Sequence, residues 1–188
     1  MFPRPDFFAG ARLNFAENLL FPANAEIDES ATAVITTTED DSSLTETSWA
    51  ELREQVRRCS NALRAAGVKE NGVVAGYVAN HVQALVALLS AATVGAIWTG
   101  ISPDNGVSAV LDRLAQIRPQ VLFTDNATLY NGKEWSGKAK TLDVVEDLKK
   151  HGLEQVVVIR GLKNIETGLD DIRAKGVKAE EFDAFLNS

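Results

Sequence analysis

The chain has 188 residues, of which 45% are hydrophobic and 24% are charged, as is typical of a soluble globular protein. Its net charge of −7 and the lack of a lysine and arginine stripe argue against binding to nucleic acid. A single cysteine excludes an internal disulfide and favours a reducing, cytoplasmic location. The N-terminus has no cationic start followed by an apolar core, and no apolar run reaches the length of a membrane span, so we expect neither a signal peptide nor a membrane role.

Strand-like and helix-like segments alternate along the chain. A β-branched run at 31–37 predicts a strand, and the polar stretch 38–47 predicts a hairpin tip or a linker. Ser48, with Glu51 three residues later, is a capping box for a helix that Gly67 ends. Continuous apolar runs then predict four strands of a parallel sheet, at 73–78, 96–101, 120–125 and 155–160.

Amphipathic segments predict a helix after each of the first three of these strands. The first runs from His81 to about Val94 with Asn80 as its cap, the second starts at a cap on Asp104 or Asn105 and stops before Pro119, and the third covers 142–150. This alternation predicts an α/β fold with a mainly parallel sheet and helices on both faces. We divide the chain into a lead segment (1–30), an αβ subdomain (31–162) and a charged, strand-free C-terminal extension (163–188) with an amphipathic turn near its end.

One polar loop lies where ligands of such folds gather. The loop from Ser102 to Gly106 follows the strand at 96–101 and precedes a helix, and free backbone N–H groups at a helix start favour an anion. A turn with cap residues accounts for the same composition. The segment 126–135 after the next strand is also polar and offers Lys133 as a point charge for a phosphate, although a solvated turn fits it equally well.

The common catalytic and metal-binding patterns are absent from the sequence. His81 and His151 lie at a helix start and a helix end without a partner that suggests a hydrolytic triad, and Cys59 lies on an apolar helix face. Neither common glycine-rich nucleotide loop occurs, and no cluster has metal-ligand spacing. The loops after 31–37 and 73–78 also lack the Ser/Thr/Gly runs of a flavodoxin-like phosphate site, which disfavours a nucleotide-binding regulator of that type.

Four stretches together carry a resemblance to a known family: "FFAGARLNFAENLL", "SPDNGV", "YNGKEW" and "VVVI". The chain resembles the acetoacetyl-CoA synthetases, a family in the acyl-CoA synthetase branch of the adenylate-forming, AMP-binding enzymes, from about residue 7 to about residue 160. The resemblance implies the first αβ subdomain of that fold. It also implies an acetoacetate–CoA ligase that uses ATP and Mg²⁺ to form an acyl-adenylate and then passes the acyl group to coenzyme A.

The resemblance implies two coenzyme A-binding loops and no catalytic or metal-binding residue in this stretch. The residues implied are Ser102, Pro103 and Asp104 along the coenzyme A path, and Tyr130, Asn131, Gly132 and Lys133 near its 3′-phospho-ADP end. The family's phosphate loop, adenine and Mg²⁺ motif, ribose-binding aspartate and adenylation lysine have no counterpart in the 188 residues. We therefore expect an N-terminal part that is inactive alone and holds no cofactor tightly. The alternative is a non-catalytic binding module that associates with a partner or itself through uncovered apolar surface.

Overall fold

Nine strands occur in the residues that the computed structural model describes, which are 3–6, 8–39 and 44–188. In chain order the strands are β1 (Thr32–Thr36), β2 (Thr45–Ser48), β3 (Val73–Tyr77), β4 (Ile97–Ile101), β5 (Val121–Asp125), β6 (Ala127–Tyr130), β7 (Lys133–Ser136), β8 (Gln155–Ile159) and β9 (Lys178–Glu181). Five of them form one sheet in the order β4-β3-β5-β8-β9, and all neighbours are parallel. The predicted parallel sheet is confirmed.

Seven α-helices occur in the same described residues. They are α1 (Phe15–Leu20), α2 (Trp49–Ala65), α3 (Val82–Thr93), α4 (Val107–Ile117), α5 (Lys138–Leu148), α6 (Leu169–Ala174) and α7 (Phe182–Phe185). The capping box of α2 is present, and Gly67 follows its end with a positive φ of 87°. Helix α5 begins four residues before the predicted 142. None of the helices described is long and apolar enough to cross a membrane.

The two faces of the sheet carry separate apolar cores. Neighbouring residues of β5 point to opposite faces, so Phe123 packs with α2, α3 and α7 while Leu122 packs with α4, α5 and α6. All five residues of β5 and of β8 are buried, as expected of central parallel strands. Cys59 lies in the first core, where burial raises the pKa of its thiol to about 12. Helices on both faces are therefore confirmed.

The N-terminal part adds a helix and a hairpin to this sheet. The amide of Asn14, the cap of α1, donates to the Ala92 carbonyl oxygen at 2.8 Å and thereby fixes α1 against α3. Strands β1 and β2 form an antiparallel pair. The stretch 38–47 was predicted to be a tip or linker, and its residues 45–47 instead belong to β2. The part at 40–43 lies outside the described residues.

The prediction that residues 163–188 are strand-free is wrong. Strand β9 pairs with β8 in parallel register and extends the sheet past residue 162. The predicted amphipathic turn is helix α7, whose Phe182 and Phe185 rings pack edge-on against Phe123 with centroids 6.3 and 5.8 Å away. These three rings are at most 4% exposed, so the C-terminal residues complete a core. The sheet therefore continues beyond the predicted subdomain boundary.

The strand order creates a crevice beside β3. The chain passes from β3 to β4 on one side, crosses through α4 on the opposite face, and returns to β5 on the other side of β3. At such a switch point the connections diverge and leave a crevice at the carboxyl ends of the strands. We therefore expect a ligand site among the residues that follow β3, β4 and β5.

Candidate functional site

Two clefts open at this carboxyl edge. The first cleft has a volume of about 620 Å³ and is lined by residues 78–81 after β3, 100–104 at the end of β4 and in the loop that follows it, and 128–130 of β6. The second cleft has about 440 Å³ and lies toward α5, with Thr124, Trp135 and Lys140 among its lining residues. Pro103, Asp104, Thr128 and Tyr130 border both clefts, so they form the ridge between them.

Hydrogen bonds with Ser102 hold the loop after β4 together. The Ser102 hydroxyl donates to the Asp104 carboxylate at 3.2 Å, and the Asn105 side-chain amide and backbone N–H both donate to the Ser102 carbonyl oxygen at 3.1 Å. Because Asp104 and Asn105 are used in this way, neither caps α4 as predicted. The cap position is Gly106, which makes no side-chain hydrogen bond.

Two side chains from other elements hold this loop by its carbonyl oxygens. The buried Tyr77 hydroxyl donates to the Asn105 carbonyl at 2.6 Å and approaches that of Pro103 at 3.3 Å. The Lys140 ammonium donates to the Pro103 carbonyl at 2.9 Å and reaches the Asn105 carbonyl at 3.4 Å. Burial, and secondly the Asp104 charge, raise the pKa of Tyr77, so the phenol remains a donor at neutral pH. No local sequence pattern indicates either contact.

A histidine and an aspartate fix the turn after β3. The Asp125 carboxylate, 5% exposed, accepts from the Ala79 N–H at 2.7 Å and lies 3.0 Å from His81 Nε2. His81 Nδ1 accepts from the Ala84 N–H at 3.1 Å, which leaves the ring proton on Nε2 to donate to Asp125. The predicted cap of α3, Asn80, is therefore wrong, because His81 occupies that position. We read this pair as the support for the wall of the first cleft.

The polar segment after β5 is a hairpin, not the loop that was predicted. Strands β6 and β7 pair antiparallel, with Tyr130 opposite Lys133, and Asn131 and Gly132 form the turn with φ values of 52° and 67°. Two positive φ values in an Asn-Gly pair match a type I′ hairpin turn. Buried Asn126 anchors the base of the hairpin, since its side chain bonds with the backbone of residues 161, 162 and 165.

The structure brings together part of the residue set inferred from the resemblance. Ser102, Pro103, Asp104 and Tyr130 border the first cleft although the two loops are far apart in sequence. Asn131, Gly132 and Lys133 form the exposed tip of the hairpin beside it and line neither cleft.

Both positively and negatively charged side chains lie around the site. Lys133 makes no ion pair with any residue in the described ranges. Lys140 and Asp104 both line the second cleft. No group of three or more histidine, cysteine or acidic side chains suited to a metal occurs among residues 3–6, 8–39 and 44–188.

Comparison with known proteins defines the class of this fold and site. The AMP-binding enzyme family matches residues 21–182, and the chain belongs to that family. Within it, the chain is similar to malonamoyl-CoA synthetase vrtB of Penicillium aethiopicum, with 46% identity over 99% of this chain. It is also similar to acetoacetyl-CoA synthetase of Gallus gallus, with 40% identity over 87% of this chain. The chain spans about a quarter of these two relatives, 25% and 24% of their lengths.

A solved structure supports the same relationship. Acetoacetyl-CoA synthetase from Streptomyces lividans superposes with a TM-score of 0.81 at 34% identity, over 97% of this chain and 26% of that one. The α/β architecture described above is therefore that of the N-terminal domain of an adenylate-forming enzyme. The resemblance to acetoacetyl-CoA synthetases is confirmed.

Proposed function

We propose that this chain supplies the coenzyme A-facing part of an acid–CoA ligase. In the overall reaction, ATP, a short carboxylic acid and coenzyme A react to form the acyl-CoA, AMP and diphosphate. The observation that carries the proposal is the convergence of residues 102–104 and 130 on one cleft at the switch point of the sheet. The family membership and the similarity to two kinds of acyl-CoA synthetase support it.

The acid that we propose is a short one with a carbonyl group at its third carbon. Acetoacetate and malonamate are the acids implied by the names of the relatives, and they share this carbonyl. They differ in the group attached to it, which is a methyl group in acetoacetate and an amino group in malonamate. Acetoacetate is our first choice because acetoacetyl-CoA synthetases of vertebrates and of a bacterium are among the relatives, and the superposed solved structure is also one. We propose ATP and Mg²⁺ as cofactors of the whole reaction and assign neither to a residue of this chain. A cytoplasmic location remains a prediction.

In this proposal the hairpin tip receives the 3′-phosphate of coenzyme A. Lys133 is an exposed cation without an ion pair in the described part of the chain. The turn at the two tip residues offers backbone N–H groups that suit an anion, and the Gly132 N–H already donates to the Glu39 carboxylate. The first cleft, with Ser102 and Pro103 on its border, has room for the rest of the nucleotide. The negative charge of Asp104 opposes phosphate binding. Lys140, which lines the second cleft beside Asp104, favours phosphate binding by its positive charge.

Titration calorimetry of the 188-residue chain with coenzyme A and 3′-dephospho-coenzyme A tests this assignment. One exposed ion pair contributes only about 1 kcal/mol, so binding is expected to be weak and Lys133→Gln to reduce the coenzyme A affinity roughly fivefold. Lys178→Gln is the matched control, because this exposed lysine begins β9 at the opposite edge of the sheet. Equal affinities for Lys133→Gln and Lys178→Gln, or no coenzyme A binding by the wild type, would contradict the assignment.

We also propose that these 188 residues do not form an acyl-adenylate alone. Nucleotidyl transfer needs positioned cations and donors around the phosphates, and the sequence holds no Ser/Thr/Gly-rich phosphate loop ending in lysine. The test is acetoacetate-dependent release of diphosphate from ATP by the pure chain. Release above a control without protein would overturn this expectation.

A second candidate is a non-catalytic module that associates with itself. The observation in its favour is a set of exposed apolar side chains near α1, including Leu13, Phe15 and Phe21 at 71, 63 and 58% exposure. Analytical ultracentrifugation separates the candidates. The non-catalytic module is favoured over the ligase part if the chain forms a dimer with a micromolar dissociation constant, if Phe15→Ser dissociates this dimer, and if the chain does not bind coenzyme A.

A further inference from the structure

An acidic side chain is bound at the tip of the β6–β7 hairpin. The Glu39 carboxylate, which follows β1, accepts a hydrogen bond from the Gly132 N–H at 3.1 Å, across 93 positions of the chain. The Asn131 N–H also acts on this carboxylate and, with that of Gly132, lowers its pKa. Both N–H groups are available because the cross-strand pair of this turn is formed by the flanking residues, Tyr130 and Lys133.

This contact marks the tip as a site that selects an anion. Successive backbone N–H groups in a turn of positive φ form a concavity that binds negative charge, and Asn131 and Gly132 have φ values of 52° and 67°. The Asn131 and Gly132 N–H groups hold the pKa of Glu39 below its ordinary value, which means that the tip favours the charged carboxylate over the neutral acid. Glu39 is exposed, so burial does not force it into this place.

We propose that Glu39 is a built-in competitor that occupies the phosphate position of the hairpin tip until an anionic ligand displaces it. The inference rests on the proposed function, in which this tip receives the 3′-phosphate of coenzyme A. A phosphate monoester carries more charge than a carboxylate and offers three acceptor oxygens. It cannot share the Gly132 N–H with Glu39, and the two negative charges repel each other. Glu39 must therefore leave the tip when the phosphate binds.

A purely structural role makes a different prediction. If Glu39 only joins the β1–β2 hairpin to the β6–β7 hairpin, then glutamine in its place retains an acceptor oxygen and leaves ligand binding unchanged. If Glu39 competes by its charge, then Glu39→Gln weakens the competitor and removes the repulsion. The substitution thus separates the two roles without deleting the side chain.

The experiment is titration calorimetry of the full 188-residue chain with coenzyme A and with 3′-dephospho-coenzyme A. We expect Glu39→Gln to bind coenzyme A roughly two- to fivefold more tightly than the wild type, the range for one exposed charge pair, and to bind the dephosphorylated compound unchanged. Glu46→Gln is the matched control. It removes one exposed charge from the same hairpin, but its carboxylate accepts from the Thr32 hydroxyl at 2.6 Å.

A second measurement follows Glu39 directly by carbon-detected NMR in the wild-type chain. Saturation with coenzyme A is expected to raise the carboxyl pKa of Glu39, because the Gly132 N–H is then taken by the phosphate. An unchanged Glu39 pKa on saturation, an unchanged coenzyme A affinity in Glu39→Gln, or an equal gain in Glu46→Gln overturns the competitor role alone. Loss of the Lys133→Gln effect, or no coenzyme A binding in any variant, overturns the proposed function and the competitor role with it.

Discussion

Tyr77→Phe removes one hydroxyl group that holds the loop between the two clefts. The hydroxyl donates to the Asn105 carbonyl at 2.6 Å, and its ring is 3% exposed, so phenylalanine keeps the packing and deletes the hydrogen bond. A hydrogen bond of this kind contributes a net 0.5–1.5 kcal/mol or so. The Asn105 carbonyl retains the Lys140 ammonium at 3.4 Å and is only partly buried. We therefore expect a loss of about 1 kcal/mol in the free energy of unfolding.

Urea unfolding of wild type and variant measures this difference, with an unchanged m value as evidence that the packing is retained. Amide exchange of Asn105, whose N–H donates to the Ser102 carbonyl oxygen, is expected to become faster because the loop is held less firmly. Tyr130→Phe is the control, since this ring is 62% exposed and its hydroxyl has no hydrogen bond within the described ranges. A Tyr77→Phe variant as stable as the wild type, or no more destabilised than Tyr130→Phe, would refute the reasoning.

Three further predictions concern two core residues and one partly exposed carboxylate. Phe185→Ala should cost about 3–5 kcal/mol in urea unfolding, because this ring is 1% exposed and completes a core. The ammonium groups of Lys149 and Lys175 lie 2.8 and 2.9 Å from the Glu146 carboxylate and lower its pKa from 4.5 to about 2. The stability that this carboxylate adds should therefore be lost as the pH falls between those values. NMR titration of the Lys149→Gln/Lys175→Gln chain should show an ordinary pKa for Glu146. Cys59, with a pKa of about 12, should react with a disulfide reagent only as fast as the chain unfolds in urea.

The strands that could be predicted from the sequence are those with apolar side chains on both faces. Strands β5 and β8 are buried at every position, and their continuous apolar runs give the signal of a parallel sheet. The strands that were missed, β2, β6, β7 and β9, are four residues long, and all of them except β6 are mostly polar. Such strands lie at edges and pair on one side only, so they need no apolar pattern and leave none in the sequence.

The caps of the helices show a second limit of local patterns. Ser48 and Glu51 were recognised because their three-residue spacing is itself the motif. The cap of α3 was assigned to Asn80, a preferred cap residue, whereas the structure uses His81. The choice depends on Asp125, which holds the imidazole from a strand 44 residues away. A cap that depends on a distant partner cannot be inferred from the residues beside it.

The candidate site depends on distant partners to a greater degree than the fold does. The loop after β4 is held by Tyr77 and Lys140, 28 and 37 residues from the carbonyl groups that they contact, and the hairpin tip is held by Glu39, 93 residues away. These bonds are polar, exposed at one end and worth little each, whereas the sheet is held by buried apolar area. Substitutions that respect the apolar pattern can therefore preserve the sheet and still change the site. For this reason Glu39→Gln and Lys133→Gln should alter coenzyme A binding while their unfolding curves remain those of the wild type.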